Sequence, residues 1–240
     1  MTPRVGLRLG NLLYVWLRAH SRTAAGSPTL ALSAPAMTPW LVDFPALKAL
    51  TVDKGGLRFS DRREWDGEYL YQRFGLDFQR NELANFIHAA LVSHVIPLAD
   101  DTLVINVRRG DYYTDHRAKY EFDQAGYIGA ALDHVGEASE IRVVSDDPAW
   151  CREQLGGLFR DRIARVIYDD ANPLENLLTV AGASRIIGAN STFSYWGAYI
   201  ADVVHEHTIV VMPRFHGRMG AGRTDAHQLD PRWVAIEGFS

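Results

Sequence analysis

The stretch Thr102-Leu103-Val104-Ile105-Asn106-Val107-Arg108-Arg109-Gly110-Asp111-Tyr112 decides the fold. Six residues, mostly β-branched, end abruptly in two arginines and a glycine. A short apolar run of this kind, bounded by charge and glycine, reads as a buried strand feeding a turn. Further strands are expected at Glu140–Ser145, Arg165–Tyr168, Arg185–Gly188 and Thr208–Met212, with a last short one at Trp233–Ile236. Between them lie helical segments at Gln124–Val135, Ala149–Leu158, from Asn172-Pro173-Leu174-Glu175 onward, and at Phe193–Val203. Asn172 can cap its helix, Pro173 suits the first turn and Glu175 stands at the capping-box position. Strand alternating with helix predicts an α/β fold with a parallel sheet covered on both faces.

Upstream of residue 100 the pattern changes. A helix is expected after Gly10-Asn11, with Leu9, Leu12, Leu13, Trp16 and Leu17 on its apolar side. Thr29–Ser33 could be a short strand. Residues 34–78 are irregular and carry Trp40, Phe44, Trp65, Tyr69, Tyr71 and Phe74, which either stack a sugar or fill a small core. Glu82 to His94 is a second helix. These shifts divide the chain into 1–100, 101–225 and a tail, 226–240.

Composition bounds the function. The 240 residues are 47% hydrophobic and 22% charged, which excludes wholesale disorder. A net charge of −4 argues against a nucleic-acid partner held by bulk charge, though not against a local basic pocket. Cys151 is the only cysteine, so an internal disulfide framework and a multi-cysteine metal site are excluded. No segment is apolar for long enough to span a bilayer. The run Leu12–Leu17 is too short for a secretory core and meets Arg18, His20 and Arg22 at once, so it reads as a buried helix and the protein is expected in the cytoplasm. The nine histidines show no metal spacing, and no metal is expected.

Open parallel sheets bind ligands beyond the carboxyl ends of their strands. Arg108 and Arg109 alternate in direction, so one can reach a ligand while the other braces the loop, with Asp111 holding the bracing arginine. A structural arginine–aspartate pair on a loop is the equal alternative. Asp146 and Asp147 follow the second strand and can take a ribose or a guanine edge, or cap the next helix. Asp169 and Asp170 favour capping. Asn190, Ser191, Thr192 and Ser194 open a helix; its N–H groups and dipole form an anion site, or Ser191 or Thr192 simply caps it. Arg108 together with that helix end favours a diphosphate seated between two strand ends. For Gly10 and Asn11, close backbone approach to a ligand and ordinary capping remain open.

These motifs resemble a family. Val104 to Tyr112 is similar to the HxRRGDY signature of the α-1,2-fucosyltransferases, glycosyltransferase family 11. Ala189-Asn190-Ser191-Thr192-Phe193-Ser194-Tyr195-Trp196-Gly197-Ala198-Tyr199 resembles its NSTFSWWGAY block, and Leu9-Gly10-Asn11 its GGLGNQ segment. Ser145-Asp146-Asp147 with Trp150 resembles its SDD-W stretch, and Pro231-Arg232-Trp233-Val234 its closing segment. The resemblance implies a GT-B-like fold, two Rossmann-like halves around a cleft, with the N-terminal acceptor-side half reduced here. It implies inverting transfer of L-fucose from GDP-fucose to a galactoside 2-hydroxyl, with a nucleotide sugar and a glycan as partners and no metal or other cofactor. Carried over by position, Arg108 would hold the β-phosphate, Asp146 or Asp147 the guanine or ribose, and Ser191, Thr192 and Ser194 the diphosphate, while Asp111 holds the arginine loop. Asp115 and His116 are the candidate bases just beyond that loop. Asn106 stands where the family has His; it keeps a donor and an acceptor but cannot titrate. Leu12 replaces the family's Gln, Arg8 one of its glycines, and Asn176 its Asp. Another nucleotide-sugar donor, or a non-catalytic nucleotide-binding relative, is the alternative.

Overall fold

A computed structural model describes residues 1–3, 6–64, 72–160, 164–169, 172–218 and 224–239. Trp65, Tyr69, Tyr71 and Asp170 therefore lie outside the described residues. The chain divides into two compact units, Met1–His94 and Val95–Ser240.

The N-terminal unit is mainly helical. Helix α1, Leu9–Ala24, buries Leu12, Leu13, Tyr14, Val15, Trp16 and Leu17 almost completely, so it is a core helix buried all round. It begins before Gly10, not after Asn11 as the sequence led us to expect. Arg8 occupies the N-cap position, and the Asn11 side chain instead accepts a bond of 3.0 Å from Gln72 Nε2. Strands β1, Ala31–Leu32, and β2, Thr51–Val52, pair in parallel, so the expected strand at Thr29–Ser33 is only two residues long. Helix α2 spans Thr38–Asp43. Helix α3, Arg80–Ala90, starts two residues earlier than expected because Gln79 and Glu82 close a capping box on it. Trp16 Nε1 reaches across to Thr51 Oγ1 at 2.9 Å, tying α1 to the strand pair. Phe44 is buried and Phe74 packs edge-on against buried Phe78, so these two aromatics fill a core.

The C-terminal unit is the α/β layer structure. Its strands are β3 (Thr102–Val107), β4 (Glu140–Ser145), β5 (Arg165–Asp169), β6 (Arg185–Ile187), β7 (Ile209–Pro213) and β8 (Val234–Ile236). They form one parallel sheet in the order β5-β4-β3-β6-β7-β8. All six residues of β3 are buried, as a central parallel strand requires. Two short helices that the sequence reading did not separate, α4 (Gly110–Thr114) and α5 (Arg117–Tyr120), follow β3 directly. Helices α6 (Gln124–Ala131) and α7 (Pro148–Phe159) cover one face, where Leu103, Ile105, Val107, Ile141 and Val143 meet Tyr127, Ile128 and Leu155. Helix α8 (Pro173–Ala181) lies against β3 and β4, and α9 (Thr192–Val204) lies against α8. The closeness of α8 and α9 depends on Gly197, since a Cβ there would stand 2.4 Å from Val180.

From β3 the chain builds outward through β4 to β5, then returns to place β6 on the other side of β3. That reversal opens a crevice beyond the carboxyl ends of β3 and β6, which is where doubly wound sheets receive ligands.

Candidate functional site

At the end of β3, two arginines meet three carboxylates. Arg108 Nη1 donates to Asp146 Oδ2 at 2.5 Å, and Nη2 donates to Asp111. The other Asp146 oxygen accepts the Arg109 backbone N–H at 2.7 Å. Gly110 makes this possible, because a Cβ there would lie 2.5 Å from Asp146 Oδ2. Asp146 thus clamps the β3–α4 turn to the end of β4. The Arg108 carbonyl is held as well, by Gln124 Nε2 at 2.8 Å. The two bonds from Arg108 use two of the five guanidinium donors.

Arg109 is held differently. Its guanidinium lies 4.0 Å from the ring centres of both Tyr113 and Trp150, and Nε donates to Asp147 Oδ2 at 3.3 Å. Asp147 in turn caps α7, accepting the Trp150 N–H at 3.1 Å. Both arginines are held at this strand end, Arg108 by Asp111 and Asp146 and Arg109 by two aromatic faces and Asp147.

At the end of β6, the chain turns through Gly188–Asn190 into α9. Ser191 is the N-cap and its Oγ accepts the Phe193 N–H at 3.3 Å. Thr192, the first residue of α9, is partly exposed. Asn190 is completely buried, and its Nδ2 donates to the carbonyls of Tyr120 and His216, both at 3.0 Å. Asn106 is 6% exposed and Ser194 is fully buried; Ser194 Oγ donates to Asn106 Oδ1 at 2.5 Å. Between the two strand ends, the Tyr112 and Tyr120 rings stack at 4.0 Å, and Arg108 lies 5.3 Å from the Tyr112 ring centre. Burial pushes the Tyr112 hydroxyl well above its ordinary pKa, so this ring stays neutral. Asp115 and His116 are exposed on the turn after α4, with His116 edge-on to Tyr120. Gly10 and Asn11 belong to the N-terminal unit, where both are helical.

The structure therefore gathers Asn106, Arg108, Arg109, Asp111, Asp146, Asp147, Asn190, Ser191, Thr192 and Ser194 along one edge of one sheet. Sequence reasoning missed Tyr112, Tyr120, Gln124 and His216. Tyr112 stood inside a quoted motif, but nothing in the spacing of the other three marks them. Among the described residues, no three His, Cys, Asp or Glu side chains are placed to hold a metal ion. No described helix is long and apolar enough to cross a membrane.

His216 is buried beneath this edge, with Nδ1 3.0 Å from the Tyr195 hydroxyl. Burial lowers its pKa to about 3. An unfolded histidine takes up a proton near pH 6.5, so below that pH the unfolded chain binds more protons than the native one. The stability from neutral His216 is present above about pH 6.5 and falls away as pH drops toward 3. Replacing His216 with Asn should flatten the loss of melting temperature between about pH 6.5 and 4; equal slopes for the two proteins would contradict the assignment.

A family model described as glycosyl transferase family 11 matches residues 66–236, which include every strand of the six-stranded sheet. This chain belongs to glycosyl transferase family 11. Its relatives are distant and longer. An alpha-1,2-colitosyltransferase from Escherichia coli is 27% identical over 150 residues, covering 57% of this chain and 48% of that protein. Galactoside 2-alpha-L-fucosyltransferase SEC1 from Bos taurus is 29% identical over 128 residues, covering 51% of this chain and 34% of that protein. The O-antigen biosynthesis glycosyltransferase WbnK from Escherichia coli is 27% identical over 168 residues, covering 66% and 53%. The chain thus matches between a third and about half of the length of these relatives.

Proposed function

We propose that the protein is an inverting, metal-independent glycosyltransferase that moves L-fucose from GDP-fucose to a galactoside 2-hydroxyl, with a GT-B-like arrangement whose donor half is the C-terminal unit. The observation that carries this reading is the reversal of strand order at β3 and β6, which brings Arg108 and the N-terminal end of α9 to one crevice. The acceptor oxygen attacks C1 of the sugar from the face opposite the nucleotide, the bond from C1 to the phosphate oxygen breaks, and GDP leaves with the electron pair. The transition state is oxocarbenium-like, as in glycosidases. Charge grows on the leaving diphosphate as that bond breaks. The remaining Arg108 donors and the N-terminal end of α9 stabilise that charge more in the transition state than in the ground state. Asp146, already spanning Arg108 and the Arg109 N–H, fixes the direction in which the guanidinium points. Asp115 or His116 takes the acceptor proton.

A different deoxysugar donor is the second reading. It is favoured by the relative named for colitosyl transfer and by Asn106 at the family's His position. Thermal-shift ranking of GDP, UDP and dTDP, followed by product analysis with GDP-fucose and a β-galactoside, tests both. Stabilisation by UDP or dTDP but not GDP would overturn the first reading. Because protein cations and a helix end supply the positive potential, EDTA should leave the transfer rate unchanged. A chelated enzyme that is inactive and is restored by Mn²⁺ or Mg²⁺ would contradict that part.

A further inference from the structure

Asn106 sits on β3 beside β4 and sends its side chain toward α9. The direction of each hydrogen bond there is fixed by chemistry. Asn106 lies 3.0 Å from the Val144 carbonyl, which can only accept, so the amide nitrogen faces Val144. Oδ1 then faces Ser194 at 2.5 Å, so the hydroxyl must donate. The Ser194 oxygen is left to accept, and it takes the Ala189 N–H at 3.0 Å. The result is one unbranched relay, from β4 through Asn106 and Ser194 to the backbone of the β6–α9 turn. Gly188 leaves room for it: a Cβ there would stand 3.2 Å from the Ser194 Cβ and 2.3 Å from the Met212 sulfur. Tyr127 Oη, within hydrogen-bond distance of the Gly188 and Val211 carbonyls at 2.9 and 3.0 Å, anchors the same turn from the opposite face.

We propose that Asn106 is a positioning residue for glycosyl transfer rather than a reader of the nucleotide: through Ser194 it fixes the Gly188–Ser191 turn, and so the N-terminal end of α9, against the strand end that carries Arg108. This rests on the function proposed above, in which that helix end faces the diphosphate. The proposal has a chemical signature. Asn106→Asp keeps the acceptor and, as a carboxylate, cannot donate to Val144. Neutral His at this position can donate from one ring nitrogen and accept from Ser194 on the other. Protonated His has two donors and cannot accept.

The test is GDP titration of the full chain, followed by pH profiles of transfer. Wild-type protein should bind GDP. Asn106→Asp and Ser194→Ala should each weaken GDP binding by about tenfold, and the double variant should be no worse than either alone, because both break one relay. Asn106→His should stay within about threefold of wild type at pH 8 and fall progressively below it under pH 6.5, a slope that a merely structural change would not produce. Folded Asp and Ala variants that bind GDP as the wild type does would overturn the proposal. If Asn106→Asp fails to fold, the His variant decides: a pH profile superimposable on wild type overturns it. Absence of GDP binding by the wild type overturns the functional reading, and this proposal falls with it; normal wild-type binding with unaffected variants overturns the positioning role alone.

Discussion

Arg108→Ala is expected to lower kcat/KM by about 10²–10³-fold, with a much smaller effect on nucleotide affinity. In the proposed function the side chain supplies a charge-assisted contact to a leaving group whose charge grows as the glycosidic bond breaks, and removing such a donor costs about 3–4 kcal/mol of transition-state stabilisation. Its two carboxylate partners behave differently when it goes. Asp146 keeps the Arg109 N–H, whereas Asp111 loses its guanidinium partner, so a modest fall in melting temperature accompanies the loss of rate. Arg108→Lys should recover little, since one ammonium cannot serve Asp111, Asp146 and a phosphate with a planar fork. Near-normal turnover in a folded Arg108→Ala protein would place the phosphate elsewhere.

Arg109→Ala should show the reverse pattern, a large loss of stability with a smaller change in rate. Its guanidinium is sandwiched between Tyr113 and Trp150 and pairs with the residue that caps α7. Two close cation–π contacts at a partly desolvated site, with the loss of packing around the stem, amount to about 2 kcal/mol. For a chain of this size that lowers Tm by about 4–8 °C. The pair of variants is read together in one melting series and one initial-rate series. A stable Arg109→Ala protein beside an unstable Arg108→Ala protein would mean that the roles are exchanged.

The sheet was legible in the sequence because its inner strands are short apolar runs ended by polar residues, and burial of β3 on both faces leaves little else such a run can be. The caps were legible too: Asn172 accepts from Leu174 and Glu175, as its spacing to Pro173 and Glu175 implied. Strand order was not, because no local pattern says that β6 returns beside β3. The same reason hid the relay, since Asn106 and Ser194 are 88 positions apart and only the fold joins them. Asp147 had two open readings, ligand contact and helix cap, and the structure uses it as a cap. Which arginine Asp111 holds was not legible, because alternation along a strand gives opposite directions but not which direction holds the partner. The start of α1 was misplaced because Asn11 looks like a cap, while its side-chain amide is engaged by Gln72, 61 positions further along the chain.

In the proposed function, the crevice between β3 and β6 holds the diphosphate of a nucleotide sugar. A crystal structure of the full chain with GDP tests it most directly. Phosphate oxygens are expected within about 3 Å of the Arg108 guanidinium and of backbone N–H groups at the start of α9, with Asn106 still bonded to Ser194 and Val144. Phosphates bound away from Arg108, or Asn106 turned out of the relay onto the base, would contradict it.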